Sequence, residues 1–219
     1  MPMQVIDNFF PEEQFKELQE FVLGPRFPVH YMPAISAPDW MKVEDPLAKE
    51  IDAFAAALYD NGKKIISDEY IQLKPYFMYM LHKLGYTEDN LTRIRCVMSL
   101  SIPGASSSNY NLPHVDTQFE HKSIIFYLND SDGDTRLFHQ RQKSFNWNLS
   151  GNATDEEKEK FASLFVRSGF TVEHSITPKA NRLLIFDGLQ YHTGGFPVET
   201  RRRVIFNINI SDRAEKTYD

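Results

Sequence analysis

The sequence predicts an α+β domain in which helices cover one face of a β-sandwich or barrel. Two observations carry this. Helical stretches crowd the chain up to about residue 90, and beyond it the chain breaks into short β-rich runs bounded by Gly, Pro, Asn or Asp. No Gly/Ser-rich linker separates the two parts, so residues 1–219 read as one domain, with 1–90 as mainly helical support. At 219 residues and 42% hydrophobic content a sizeable core can form, and 17 Phe with 10 Tyr make much of it aromatic.

"MQVIDNFF" opens the chain as a short strand. "PEEQFKELQEFVL" follows as a helix, with Pro11 at its first position and Phe15, Leu18, Phe21 and Val22 at helical spacing. Residues 23–44 are Pro-rich and read as irregular. Two more helices are predicted, "PLAKEIDAFAAALYDNGKKI" and "SDEYIQLKPYFMYMLHKLG"; Ser67 caps the second and Pro75 is a point where it can kink. Then come the strands "LTRIRCVMSLSI", "KSIIFYLN", "TRLFH", "FTVEHSI", "NRLLIFD" and "RRVIFNINI", interrupted by one helix, "TDEEKEKFASLFVRS".

Composition excludes several classes of function. Cys96 is the one cysteine, which rules out an intramolecular disulfide and a cysteine-rich zinc site. A net charge of −6 counts against general nucleic-acid or acidic-membrane binding. The start lacks a basic and an apolar signal region, and no window approaches 18 apolar residues. The expectation is a soluble, cytoplasmic protein with no membrane partner.

Chemistry concentrates in two places. In a strand, residues i and i+2 share a face, so His114 and Asp116 of "HVD" would project side by side. His192, in "LQYHTGG", directly follows the strand "NRLLIFD" and can supply a third ligand. Two histidines and a carboxylate on one face, with other positions open, suit non-haem Fe(II). His121 offers a rival third ligand, though without an arginine partner. His139 and His174 read as satisfied or barrel-lining, and His30 and His82 as structural. In "RRRVIFNINI", Val204, Phe206, Ile208 and Ile210 fall on one face, and Arg203, Ile205, Asn207 and Asn209 on the other. An inward Arg and two Asn imply a polar cavity, and a buried Arg suits a planar carboxylate.

These residues resemble the Fe(II)- and 2-oxoglutarate-dependent dioxygenases, within them the prolyl-4-hydroxylase-like group. The family signature of His-x-Asp, a distal His and a basic residue about ten positions on is similar to "HVD", His192 and Arg203, the last eleven positions after His192. "DGDTRLF", "TPKANRLLIFDGLQYH" and "MQVIDNFFPEEQFKEL" resemble further family segments, so the likeness runs from about residue 3 to 212. Asp134 departs from a family glycine, as do Ala180 and Asn181.

The resemblance implies a double-stranded β-helix, the jelly-roll of cupin-like proteins, over residues 91–212. It implies Fe(II) on His114, Asp116 and His192. It implies 2-oxoglutarate held by Arg203, with Arg201 and Arg202 the other candidates, and by Tyr127, with Asn207 lining the site. Dioxygen, and ascorbate as an optional reductant, would complete the reaction, which releases succinate and CO2. A peptidyl or prolyl substrate is the first choice and a small molecule the second. Tyr31, Trp40 and Tyr110 are candidate substrate contacts. The alternative is a cupin-like metal-binding or non-catalytic ligand-binding protein, which would not need Arg203.

Overall fold

The computed structural model describes residues 2–32, 52–117, 119–142, 154–156 and 169–212. Its elements in order are β1 (Gln4–Ile6), α1 (Glu12–Leu23), β2 (His30–Met32), β3 (Ala53–Asp60), β4 (Ile65–Ile66), α2 (Asp68–Lys83), β5 (Leu91–Leu100), β6 (Lys122–Tyr127), β7 (Thr135–Arg141), β8 (Val172–Ile176), β9 (Arg182–Asp187), β10 (Gln190–Gly194) and β11 (Arg202–Ile210).

The strands form two antiparallel sheets. The larger runs β1-β9-β6-β11-β5-β3-β2, with β4 on β3, and the smaller runs β10-β7-β8. Residues 110–114 pass along β10 through bridges from Tyr110 to Gly195 and from His114 to His192. This is the expected jelly-roll with helices against one sheet. Alternation along the strands gives each face of the large sheet its own core. Phe206, Ile124, Ile185 and Ile94 pack with Leu18 and Val22 of α1 and Leu73 and Phe77 of α2. Ile125, Tyr127, Leu184 and Ile205 face Leu137 and Ile176 of the small sheet.

Pro11 takes the cap position just before α1. The Ser67 side chain accepts from the Tyr70 N–H at 3.0 Å and starts α2, which continues through Pro75. The predicted helix at 46–65 is a correction: its described part, from Asp52, is strand β3, and β2 likewise lies within the stretch expected to be irregular. The Ala-rich run has high helix propensity, but β5 would otherwise expose an unpaired edge, and β3 pairs with it from Phe54↔Met98 to Asp60↔Arg93. His30 therefore sits on an exposed edge strand rather than among helices. The helix expected at 154–168 lies almost wholly outside the described residues, as does Trp40. Among the described residues no helix is long and apolar enough to cross a membrane.

One of the departures from that sequence pattern has a visible basis. Asn181 holds a left-handed backbone at φ 62°, which asparagine tolerates better than most residues. Its amide then exchanges two hydrogen bonds with the Phe10 backbone at 2.9 and 2.8 Å, tying the N-terminal segment to β9.

Candidate metal centre

Strand pairing assembles the site. His114 and His192 face each other across an antiparallel bridge, with both backbone bonds formed, at 3.0 and 2.9 Å. Directly opposed residues project to the same side, and the two imidazoles lie 4.8 Å apart. Asp116 follows two residues after His114 and its side chain is fully buried. The three residues can each offer a ligand atom within 4.8 Å of the others, the one such cluster among the described residues. His192 sits within the short strand β10 rather than just after β9.

The free nitrogens point to a ligand. Nδ1 of His114 lies 3.0 Å from the Leu112 carbonyl, and Nδ1 of His192 lies 3.0 Å from that of Gln190. A carbonyl only accepts, so each Nδ1 carries the proton and each Nε2 keeps its lone pair. Nε2 of His192 is buried with no hydrogen-bond partner, 3.5 Å from Asp116 Oδ2. An orphaned buried acceptor beside a carboxylate fits a divalent cation. Burial takes the His114 ring down to about 4, leaving it neutral and able to ligate at pH 7.

Asp116 carries the negative charge. Burial alone would raise its carboxyl, but the Arg93 and Arg95 guanidiniums beside it favour the charged form, and it lies well below the usual carboxylate range. The two oxygens divide their work. Oδ1 accepts from Arg93 at 2.7 Å and Arg95 at 3.2 Å, while Oδ2 faces His192 and accepts from Ser123 at 3.2 Å and Asn209 at 3.0 Å. Asn207 donates to both, at 3.3 and 3.2 Å. Asn207 thus lies at the Asp116 carboxylate.

Arg203 occupies the other end of the same cavity, which His114, His192, Asn207 and Thr135 also line. It is 4% exposed. Its Nη2 donates to the Thr135 hydroxyl at 2.7 Å, and its Nε is buried without a partner. Tyr127 donates to the same hydroxyl at 2.7 Å, so Thr135 joins the two. Gly194 leaves space for the guanidinium, since a Cβ there would sit 3.2 Å from Nη1. Arg201 is exposed and Arg202 half-buried, and neither lines the cavity.

His121 is not part of the cluster. Its Nδ1 lies 2.8 Å from the Phe119 carbonyl and 3.0 Å from the Thr117 hydroxyl, and its ring fills the space beside Gly188. Of the candidate substrate contacts, Tyr110 is buried on the small sheet and Tyr31 is exposed on β2, donating to Asp52 at 2.8 Å. Sequence reasoning missed Thr135, Ser123, Arg93 and Arg95. For the arginines a signal existed: in "LTRIRCVMSL" they alternate with Ile94 and Cys96, the pattern that flagged Arg203.

No family model matches the chain, and no curated protein matches it. Solved structures do. A 2OG-Fe(II) oxygenase family oxidoreductase from Burkholderia pseudomallei shares 12% identity, covering 95% of this chain and 84% of that one at a TM-score of 0.56. The 2-oxoglutarate-dependent epimerase SnoN from nogalamycin biosynthesis shares 9%, covering 96% and 78% at 0.55. A prolyl hydroxylase from Trichoplax adhaerens, in complex with a hypoxia inducible factor peptide, shares 14%, covering 97% and 84% at 0.51. The chain has the fold of the 2-oxoglutarate/Fe(II) oxygenases, prolyl hydroxylases among them.

Proposed function

We propose that the chain is a non-haem Fe(II)- and 2-oxoglutarate-dependent dioxygenase that hydroxylates an unactivated C–H bond. One observation carries the reading. Arg203 is a buried guanidinium with a neutral hydroxyl as its hydrogen-bond partner and no ion pair among the described residues, in the cavity that holds the triad. A buried charge left unpaired costs of order several kcal/mol, and a ligand carboxylate removes that cost.

In this reading His114 and His192 present Nε2 and Asp116 presents Oδ2 to Fe(II). Arg203 takes the far carboxylate of 2-oxoglutarate, steadied by Thr135, which Tyr127 holds in place. Asn207, Asn209 and Ser123 fix the rotamer of Asp116. When bound, Fe(II) and 2-oxoglutarate would supply dioxygen chemistry and C–H oxidation, with release of succinate and CO2. The side chains of Ile125, Val97 and Ile205 keep the floor apolar and exclude water. A peptidyl substrate, as in the Trichoplax adhaerens enzyme, and a small molecule are both compatible with the fold, which does not choose between them.

The test is an anaerobic titration of apoprotein with Fe(II) and then 2-oxoglutarate, following the visible charge-transfer band of the chelate. Wild type should show the band, and His192→Ala and Arg203→Ala should lose or weaken it. Metal binding with no response to 2-oxoglutarate would put a cupin-like binding role in its place.

A further inference from the structure

The site as a whole holds more positive charge than the co-substrate can use. Arg93, Arg95 and Arg203 surround the site, and Asp116 is the one carboxylate in ion-pair contact with any of them among the described residues. Fe(II) and a 2-oxoglutarate dianion cancel each other, and ligating imidazoles are neutral. Two guanidinium charges are therefore left over. Asp60 and Asp134 act on Arg95 and Arg203 only through space, without an ion pair.

The two arginines on Asp116 are not equivalent. Arg93 is committed: its Nη2 donates to Asp116 Oδ1 at 2.7 Å and its Nε to Asn209 Oδ1 at 3.0 Å. Among the described residues Arg95 makes one hydrogen bond, at 3.2 Å to Asp116, and its Nε is buried without a partner. Arg95 also lines the cavity, which Arg93 does not. Most of its five N–H donors remain unused. Its side chain is half-buried, 29% exposed, so an anion entering the cavity can meet those donors.

Register places Arg95 well away from the clamp. Arg203 pairs with Ser99 and Asn207 with Arg95, so the two guanidinium-bearing positions are four residues apart along the β5–β11 pair. That is roughly 13 Å at about 3.3 Å per residue. One 2-oxoglutarate molecule anchored on Arg203 and the metal leaves Arg95 free. Across from Arg95 on β3 stands Ala57, an exposed methyl that leaves this side open.

Resting on the oxygenase reading, we propose that Arg95 binds a carboxylate of the primary substrate, so that the enzyme acts on a small free carboxylic acid. A flat guanidinium edge matches the two oxygens of a carboxylate. Phosphate presents similar oxygens to a guanidinium, so inorganic phosphate is one arm of the test. Because Arg95 touches Asp116, a carboxylate held there lies only a few bonds from the carbon presented to the metal.

The test reads the arginines directly. The full chain, 15N-labelled and loaded with Zn(II) as a diamagnetic stand-in for Fe(II), is titrated with 2-oxoglutarate, and the arginine Nε–H cross-peaks are followed. Arg95→Lys and Arg203→Lys identify the two peaks by their disappearance. Acetate, propanoate and butanoate are then added to the Zn(II)·2-oxoglutarate complex, beside the matching amides and inorganic phosphate. The expected result is that 2-oxoglutarate moves the Arg203 peak, and that the acids move the Arg95 peak saturably, at least tenfold more tightly than the amides. An Arg95 peak that ignores the acids, or moves equally with the amides, or answers phosphate alone, overturns the proposal while the Arg203 response leaves the oxygenase reading standing. A 2-oxoglutarate response at Arg95 instead of Arg203 overturns both.

Discussion

The two faces of β11 are buried to nearly the same extent and do opposite things. Val204, Phe206, Ile208 and Ile210 point at the helices, where the Phe206 and Phe77 rings meet edge-on at 5.1 Å. Arg203, Ile205, Asn207 and Asn209, one residue out of phase, point at the small sheet, and all eight are buried. The outer face is closed by packing among apolar side chains. The inner face is closed by hydrogen bonds and keeps unfilled capacity, in Arg203 Nε and Asn207 Oδ1. Burial therefore does not distinguish core from site; unsatisfied polarity does.

The comparison can be broken most forcefully at Asp116. Asp116→Ala removes the carboxylate ligand and strands Arg93 and Arg95, so metal binding should vanish and stability should fall by about 3–5 kcal/mol. Urea unfolding with equilibrium dialysis of metal checks both. Retained metal affinity would show that the inner face is not a metal site. Phe206→Ala is the counterpart on the outer face. It should cost about 3–5 kcal/mol through the cavity it leaves, while the folded fraction binds metal within about threefold of wild type.

Arg203→Met sharpens the contrast by reversing its sign. Without ligand, an unpaired buried charge is replaced by carbon, so the apoprotein should be unchanged or more stable by about 1–3 kcal/mol. Affinity for 2-oxoglutarate should fall by about a hundredfold in calorimetry, the worth of roughly 3 kcal/mol of charge-assisted bonding. A destabilised apoprotein would mean that Arg203 is a structural group.

A smaller effect is expected at Asp132, which ties the loop ahead of β11. It accepts from the backbone N–H groups of Val198, Glu199 and Thr200 and from the Thr200 hydroxyl. These bonds overcome its partial burial and lower its carboxyl. A depressed folded pKa gives stability that is present above the unfolded value, about 3.9, and lost as pH falls below it. Asp132→Asn should thus be less stable than wild type at pH 7, with the gap closing below about pH 4 in acid-unfolding curves. The smallest effect concerns Cys96, whose thiol burial pushes up to about 12. It should resist a thiol reagent at pH 8 in the native protein and react once urea unfolds it.

How much was legible can be argued from single residues. The faces of β11 follow from alternation alone, because period two is a property of the extended backbone. The helix starting after Ser67 follows from its cap, a local feature of the chain. The same alternation stood in β5, where Arg93 and Arg95 share a face, but two arginines on a strand read equally well as solvated until their neighbours are known. Residues 53–60 misled because alanine favours a helix wherever nothing else intervenes; the open edge of β5 intervened.

By itself, then, the sequence determined what is local: the helix starts, the strand periodicity, and which residue types could hold a metal and a carboxylate. The tertiary structure decided what depends on distance through space. It set His114 opposite His192, turned β3 into a strand, spent the Tyr127 hydroxyl on Thr135, and left Arg95 with donors to spare. Each of these is a pairing between segments far apart in the chain, and their satisfaction or want of a partner exists only once the sheets have closed.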